Sequence, residues 1–202
     1  MAAAARITDE ELDPLVLAAR NGGDWAFGRI WELLCPTVAG YVRARGVRDV
    51  DDIVSAVFLA AFRGLPGFAG GGAAFRAWLF TIAHHKSVDA MRDQTRHTGD
   101  RQYSSELDER AAPSAEAEAL DRLGTRDVHR LLDELTPNQR EVLLMRVLGD
   151  LTVAQTALAL GRTEGAVKQL QRRAVDRLRK RIERSSARPV PLRASRPIAE
   201  TR

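Results

Sequence analysis

Between Gly161 and Arg181 the chain reads GRTEGAVKQLQRRAVDRLRKR, which crowds Lys168, Gln169, Arg172 and Arg173 among small and apolar residues. A helical step of about 100° per residue gathers Val167, Leu170, Gln171, Ala174 and Leu178 on one side. Gly165, Lys168, Gln169, Arg172, Arg173 and Asp176 fall on the other. Long donors beside a glycine that permits close approach suit a major groove, where Arg and Lys pair with guanine, Gln with adenine, and further cations with phosphates. Asp176 fits neither kind of contact and has Arg172 or Lys180 one turn away as a partner. A merely solvated charged helix has a similar composition, so the segments around this one decide between the two.

Other reactive side chains combine less well. His84 and His85 are adjacent, so on a helix they diverge by about 100°, and no third ligand accompanies them; a metal site is not expected. Cys35 is the single cysteine, which excludes an internal disulfide and a cysteine zinc cluster. It lies beside an apolar stripe, where a free thiol is usually buried and inert. No nucleophile, phosphate loop or metal constellation is assembled, so neither an enzyme nor a cofactor is expected.

The elements that carry these residues are helical. No run alternates as a half-buried strand would, and the chain is read as all-α. Asp13 and Pro14 form a cap and first-turn pair for a short first helix. Asp24 caps a second, with a stripe of Phe27, Ile30, Trp31, Leu34, Val38, Tyr41 and Val42 and a kink expected at Pro36. Asp49 opens a third to about Arg63, burying Ile53, Val54, Val57, Phe58, Ala61 and Phe62. After the loop GLPGFAGGGAAF comes a fourth, from about Phe75 to Arg92, with Phe75, Trp78, Leu79, Ile82 and Ala83 inward. Residues 97–124 are polar, acidic and alanine-rich and read as a flexible linker. Val128, Leu131, Leu132 and Leu135 then begin a second stripe. Thr136 with Gln139 and Thr152 with Gln155 are capping boxes that mark two helix starts. Gly161 suits a tight turn, and Thr163 caps the helix that opens this subsection. The capped helix, tight turn and basic helix in succession read as a helix-turn-helix and favour DNA over bare solvation.

Two small helical domains fit a chain of 202 residues: 13–96 and 125–184, joined by 97–124 and followed by a disordered basic tail, 185–202. Net charge is +4, and its distribution is uneven. From Arg162 onward 13 Lys/Arg face 4 Asp/Glu, whereas Glu106 to Asp121 holds 6 acidic residues against Arg110 alone. The N-terminal sequence lacks the basic start and apolar core of a signal peptide, and no run approaches the roughly 18 apolar residues of a span. A cytoplasmic protein without membrane insertion is expected.

The order of these segments resembles the bacterial RNA polymerase sigma factors of the extracytoplasmic-function group, in the sigma-70 family. DPLVLAARNGGDWAFGRIWELLCPTVAGYVRARGVRDVDDIVSAVFLAAFRGLPGF is similar to sigma region 2, and FRAWLFTIAHHKSVDAMR to that family's helix for the promoter −10 element. LDELTPNQREVLLMRVLGDLTVAQTALALGRTEGAVKQLQRRAVDRLRK resembles region 4, the −35 reader. The resemblance implies a subunit that binds RNA polymerase core and directs initiation at promoter DNA. It places Asp49, Asp51, Asp52 and Ser55 on the clamp of the largest polymerase subunit. It assigns Arg76, Trp78, His85, Lys86 and Arg92 to the −10 element and Thr163, Glu164, Lys168, Gln169, Arg172 and Arg173 to the −35 element. An anti-sigma factor is a further candidate partner.

The sequence departs from the family pattern at three places. Ser55-Ala56 replaces Gln-Glu, His85 replaces an Asn, and the loop from Phe68 to Phe75 is Ala-Gly-Gly-Gly-Ala-Ala between its aromatic ends. That loop is expected to be flexible and to leave −10 recognition weak, with Arg76, Lys86 and Arg92 holding phosphates and selectivity leaning on the −35 contacts. The competing reading is a stand-alone helix-turn-helix regulator. Such a protein dimerises on a palindrome, and no heptad seam is present to drive that.

Overall fold

The computed structural model of the chain describes residues 7–98, 128 and 130–186, and every regular element among them is helical. Four helices form the first half. Helix α1 spans Asp9–Arg20, α2 Asp24–Ala44, α3 Val50–Gly64 and α4 Gly72–Thr98, with a single 3₁₀ turn at Leu65–Gly67 between α3 and α4. After a helical turn at 130–133, the second half has α5 at Pro137–Val147, α6 at Val153–Ala159 and α7 at Glu164–Ser186. Most of the expected linker and tail, 99–124 and 187–202, lies outside the described residues.

The first helix starts earlier than Asp13. Thr8 caps it, its hydroxyl accepting from the Glu11 amide at 3.2 Å while the Glu11 carboxylate accepts from the Thr8 amide at 2.8 Å. Two backbone donors are thereby satisfied. Pro14 falls in the second turn, where its missing N–H forfeits one bond to the carbonyl of exposed Glu10. Asp13 caps a different helix, as described below. Helix α4 is likewise longer than expected at both ends, beginning inside the glycine run and continuing past 96 into the expected linker.

Helix α1 packs on α2 and α4, and α3 packs on the same pair. Their shared core holds Leu12, Val16, Ile30, Leu34, Val38, Tyr41, Val57, Phe58, Phe75, Leu79 and Phe80, all essentially inaccessible. Tyr41 and Phe80 meet edge to face at 5.5 Å. Phe62, expected inside, is 46% exposed, because it stands on the rim of α3 with Phe27 against one face at 4.8 Å. In the second half α5 and α6 both pack on α7, closing over Val142, Ala157 and Val167.

The halves touch. Leu132, Leu135, Leu144, Met145 and Leu151 join the apolar cluster of the first half, and α6 lies against α4 while α5 reaches α2. A polar group is sealed into this seam. Arg45 Nη1 donates to Glu141 Oε1 at 2.6 Å, and His84 Nδ1 lies 3.2 Å from that oxygen and 3.4 Å from the Tyr41 hydroxyl. The Arg45, His84 and Glu141 side chains are 9–13% exposed. A carboxylate so buried requires a compensating cation, and Arg45 supplies it.

Candidate nucleic-acid interface

Helices α6 and α7 are joined by a four-residue turn whose geometry follows from its sequence. Gly161 adopts φ +60°, a conformation costly for residues with a Cβ. The Arg162 amide then donates to the Ala157 carbonyl at 2.8 Å and the Gly161 amide to the Leu158 carbonyl at 3.2 Å, so the last carbonyls of α6 are satisfied. Thr163 accepts from the Ala166 amide at 3.2 Å and caps α7. This is a helix-turn-helix.

On α7 the buried residues are Val167 and Ala174, with Leu170, Gln171 and Leu178 partly covered. Arg146 of α5 donates to the Gln171 side chain at 3.3 Å and also to the Leu151 carbonyl, bracing α7 against α5 and the connection that follows it. Thr163, Glu164, Lys168, Gln169, Arg172 and Arg173 are all exposed. The Lys168 side chain is 66% and that of Arg172 86% exposed. Among the described residues their ion pairs are loose and on the same helix, Lys168 to Glu164 at 3.6 Å and Arg172 to Asp176 at 4.0 Å. Such surface pairs are worth little, so the two cations are available to a polyanion. The predicted −35 residues thus share one open face, with Lys168, Gln171, Arg172, Val175 and Asp176 lining a shallow concavity in it.

The predicted −10 residues separate. His85, Lys86 and Arg92 are exposed along α4, and Arg92 has Asp89 as a loose neighbour at 3.7 Å. Trp78 is half-buried, stacked on Phe68 at 5.0 Å and edge-on to Phe75 at 5.9 Å. Arg76 does not join them. Its side chain is 6% exposed, its Nε donates to Asp9 at 2.9 Å and its Nη2 to the Ile7 carbonyl at 2.6 Å. A guanidinium so buried and so engaged is a tie to α1 and the residues that precede it, which removes Arg76 from the phosphate-binding set. His84, the other half of the histidine pair, is spent in the seam.

The four predicted clamp residues do share a surface. Asp49, Asp51, Asp52 and Ser55 are exposed around the start of α3. Sequence reasoning missed that the stripe continues: Leu59 and Phe62, four and seven residues after Ser55, are 48% and 46% exposed. Large apolar side chains open to solvent in register with a carboxylate cluster make a mixed surface suited to a protein partner. The only signal for it was the helical step itself. Cys35 lies near this end of the molecule, its thiol pushed up from its usual range by burial and further by the Asp51 carboxylate, which keeps it protonated and unreactive. Among the described residues no helix is long and apolar enough to cross a membrane.

Comparison with known proteins accords with this geometry. Residues 32–97 match the family described as Sigma-70 region 2, and residues 131–180 match Sigma-70, region 4. The chain is 37% identical over 182 residues to the ECF RNA polymerase sigma factor SigD of Mycobacterium tuberculosis, covering 86% of this chain and 84% of that one. It is 35% identical over 167 residues to the ECF RNA polymerase sigma factor BldN of Streptomyces coelicolor, covering 80% and 62%. Among solved structures, CnrH in complex with the cytosolic domain of CnrY superposes with a TM-score of 0.62 at 26% identity, over 85% of this chain and 96% of CnrH. With both halves matched, in order, and most of the chain aligned, the protein belongs to the ECF RNA polymerase sigma factors.

Proposed function

We propose that this sigma factor docks on RNA polymerase core through Asp49, Asp51, Asp52 and Ser55 with the apolar continuation Leu59 and Phe62, and reads promoter DNA with two separate surfaces. The −35 surface is Thr163, Glu164, Lys168, Gln169, Arg172 and Arg173. The −10 surface is His85, Lys86 and Arg92 with Trp78 at its edge. Gln169 and Lys168 lie nearer base edges and Arg173 nearer phosphate. The protein does no covalent chemistry of its own, needs no cofactor, and works in the cytoplasm where polymerase is. An anti-sigma partner is part of the proposal, supported by the structural neighbour CnrH, which is bound to the cytosolic domain of CnrY.

The observation that carries the reading is one chain with both an open helix-turn-helix face and a separate acidic and apolar stripe on α3. A stand-alone regulator requires the first and has no use for the second. Selection of random duplex DNA with core polymerase plus this protein tests it. The expected product is a bipartite motif of two different elements at fixed spacing, absent without core. A palindrome bound by the protein alone would establish the stand-alone regulator instead.

A further inference from the structure

We propose that helix α1, through Asp13 and Asp9, sets the geometry of the loop that presents the −10 surface, making these two carboxylates positioning residues for strand opening. The inference rests on the reading of α4 as the −10 helix. It adds an element that lies outside both matched segments, 32–97 and 131–180.

The loop from Phe68 to Gly72 contains no side chain able to hydrogen-bond. The loop therefore offers DNA backbone groups only, and such groups offset the cost of unstacking a base only if they are already in place. Consecutive glycines are the residues that lose most freedom when fixed. Left to itself, this segment is poorly suited to the task.

Contacts with α1 change that. The Gly72 amide, at the start of α4, donates to Asp13 Oδ1. A Cβ on Gly71 would stand 2.4 Å from that same Asp13 oxygen, and one on Gly72 would stand 2.3 Å from the Asp9 carbonyl and 2.6 Å from the Leu12 Cβ. Gly70 has φ +145° and would bring a Cβ to 2.7 Å from Ala74. The glycines are therefore the only residues that let α1 lie this close; they make a contact where the sequence alone suggests slack. One turn further on, Arg76 reaches back to Asp9 and the Ile7 carbonyl. Two independent ties, one at the start of α4 and one a turn later, hold the end of the loop against α1. On the far side Phe68 is stacked on Trp78, so the loop is held at both ends.

The chemistry of the tie dictates its test. Asn has a side-chain oxygen and caps helices about as well as Asp, whereas Ala does not. Amide hydrogen exchange of the full chain is measured over residues 68–72 in wild type, Asp13→Ala and Asp13→Asn. Alanine is expected to raise exchange about fivefold and Asn to restore it; an unchanged rate in Asp13→Ala would overturn the brace. Holoenzymes made with core polymerase are then assayed for initiation on DNA selected by the wild-type holoenzyme, carrying single-base substitutions in either element. Asp13→Ala is expected to lose about fivefold in −10 discrimination, with core affinity and −35 discrimination retained, and Asp13→Asn to behave as wild type. Equal −10 discrimination in Asp13→Ala, or a parallel loss of core affinity and −35 discrimination, would show a merely structural contact and sink the proposal. A wild-type holoenzyme indifferent to every −10 substitution would instead sink the reading of α4 itself, whatever the exchange data show.

Discussion

Arg172 leaves 86% of its side chain in solvent and Arg76 leaves 6%, and the surroundings of each decide what it can do. Arg172 shares its face with Lys168 and has Asp176, on the next turn, as its competitor among the described residues. Replacing Arg172 or Lys168 by Ala should weaken binding to the −35 element. A lost bidentate base contact costs about 1–3 kcal/mol and relaxes specificity at one position. A lost phosphate contact weakens all sequences alike and flattens the salt dependence. Titration of a selected −35 duplex and a scrambled one, each at two salt concentrations, separates the cases, and a Lys168/Arg172 double alanine variant that binds like wild type would make the face a solvated one. The exposed set on α7 was legible because a helical step sorts its residues without knowledge of anything else. The fate of Arg76 was not. Its partners, Ile7 and Asp9, lie 69 and 67 positions away, and no local pattern announces a tertiary ion pair.

At the scale of the helix, starts were legible wherever a capping box stood without a rival. Thr136 with Gln139 and Thr152 with Gln155 are present as reciprocal pairs. Thr8 with Glu11 is the same device, masked in the sequence by the Asp13-Pro14 pair that follows it. Thr8→Ala should cost about 1 kcal/mol, read as a lower melting midpoint. The start of α4 was misplaced because a glycine run signals a break locally, whereas here it is what close packing on α1 requires. Helix α3 carries the clearest prediction at this scale. Charge reversal of Asp51 and Asp52 to Lys should reduce affinity for core polymerase, and Leu59→Ser with Phe62→Ser should do so independently, since one removes charge and the other apolar area. Binding of the −35 duplex should be untouched in both. Fluorescence-detected titration with core decides it; unaltered affinity in both variants would move the docking surface elsewhere.

The whole molecule has its halves in contact, which no local signal showed. Elements named for positions −10 and −35 are about 25 base pairs apart, near 85 Å at about 3.4 Å per pair, so both cannot be read while α6 rests on α4. The seam must open when DNA is engaged. Its ionisable member is His84, whose imidazole is held below its usual range chiefly by burial, with the Arg45 and Arg162 cations and the neighbouring His85 adding to this and the Glu141 carboxylate opposing it. The exposed ring takes a proton more readily than the sealed one. Closure is therefore fully supported above about pH 6.5 and weakens as pH falls below that value. Energy transfer between labels at Ser55→Cys and Leu158→Cys, with Cys35 replaced, should fall on acidification from pH 7.5 to 5.5, and His84→Gln should flatten the response. Glu141→Ala, which leaves Arg45 buried without its partner, should open the seam even at pH 7.5.

Initiation itself tests the account most directly. Purified bacterial core polymerase is given a duplex template carrying the selected bipartite motif, with and without the protein, and transcripts are mapped. The account predicts transcripts from one defined start only when the protein is present, lost with Asp51 and Asp52 reversed to Lys and diminished with Lys168 and Arg172 replaced by Ala. Transcription that is the same with and without the protein, or that depends on it but survives reversal of the α3 carboxylates and loss of both α7 cations, would contradict it.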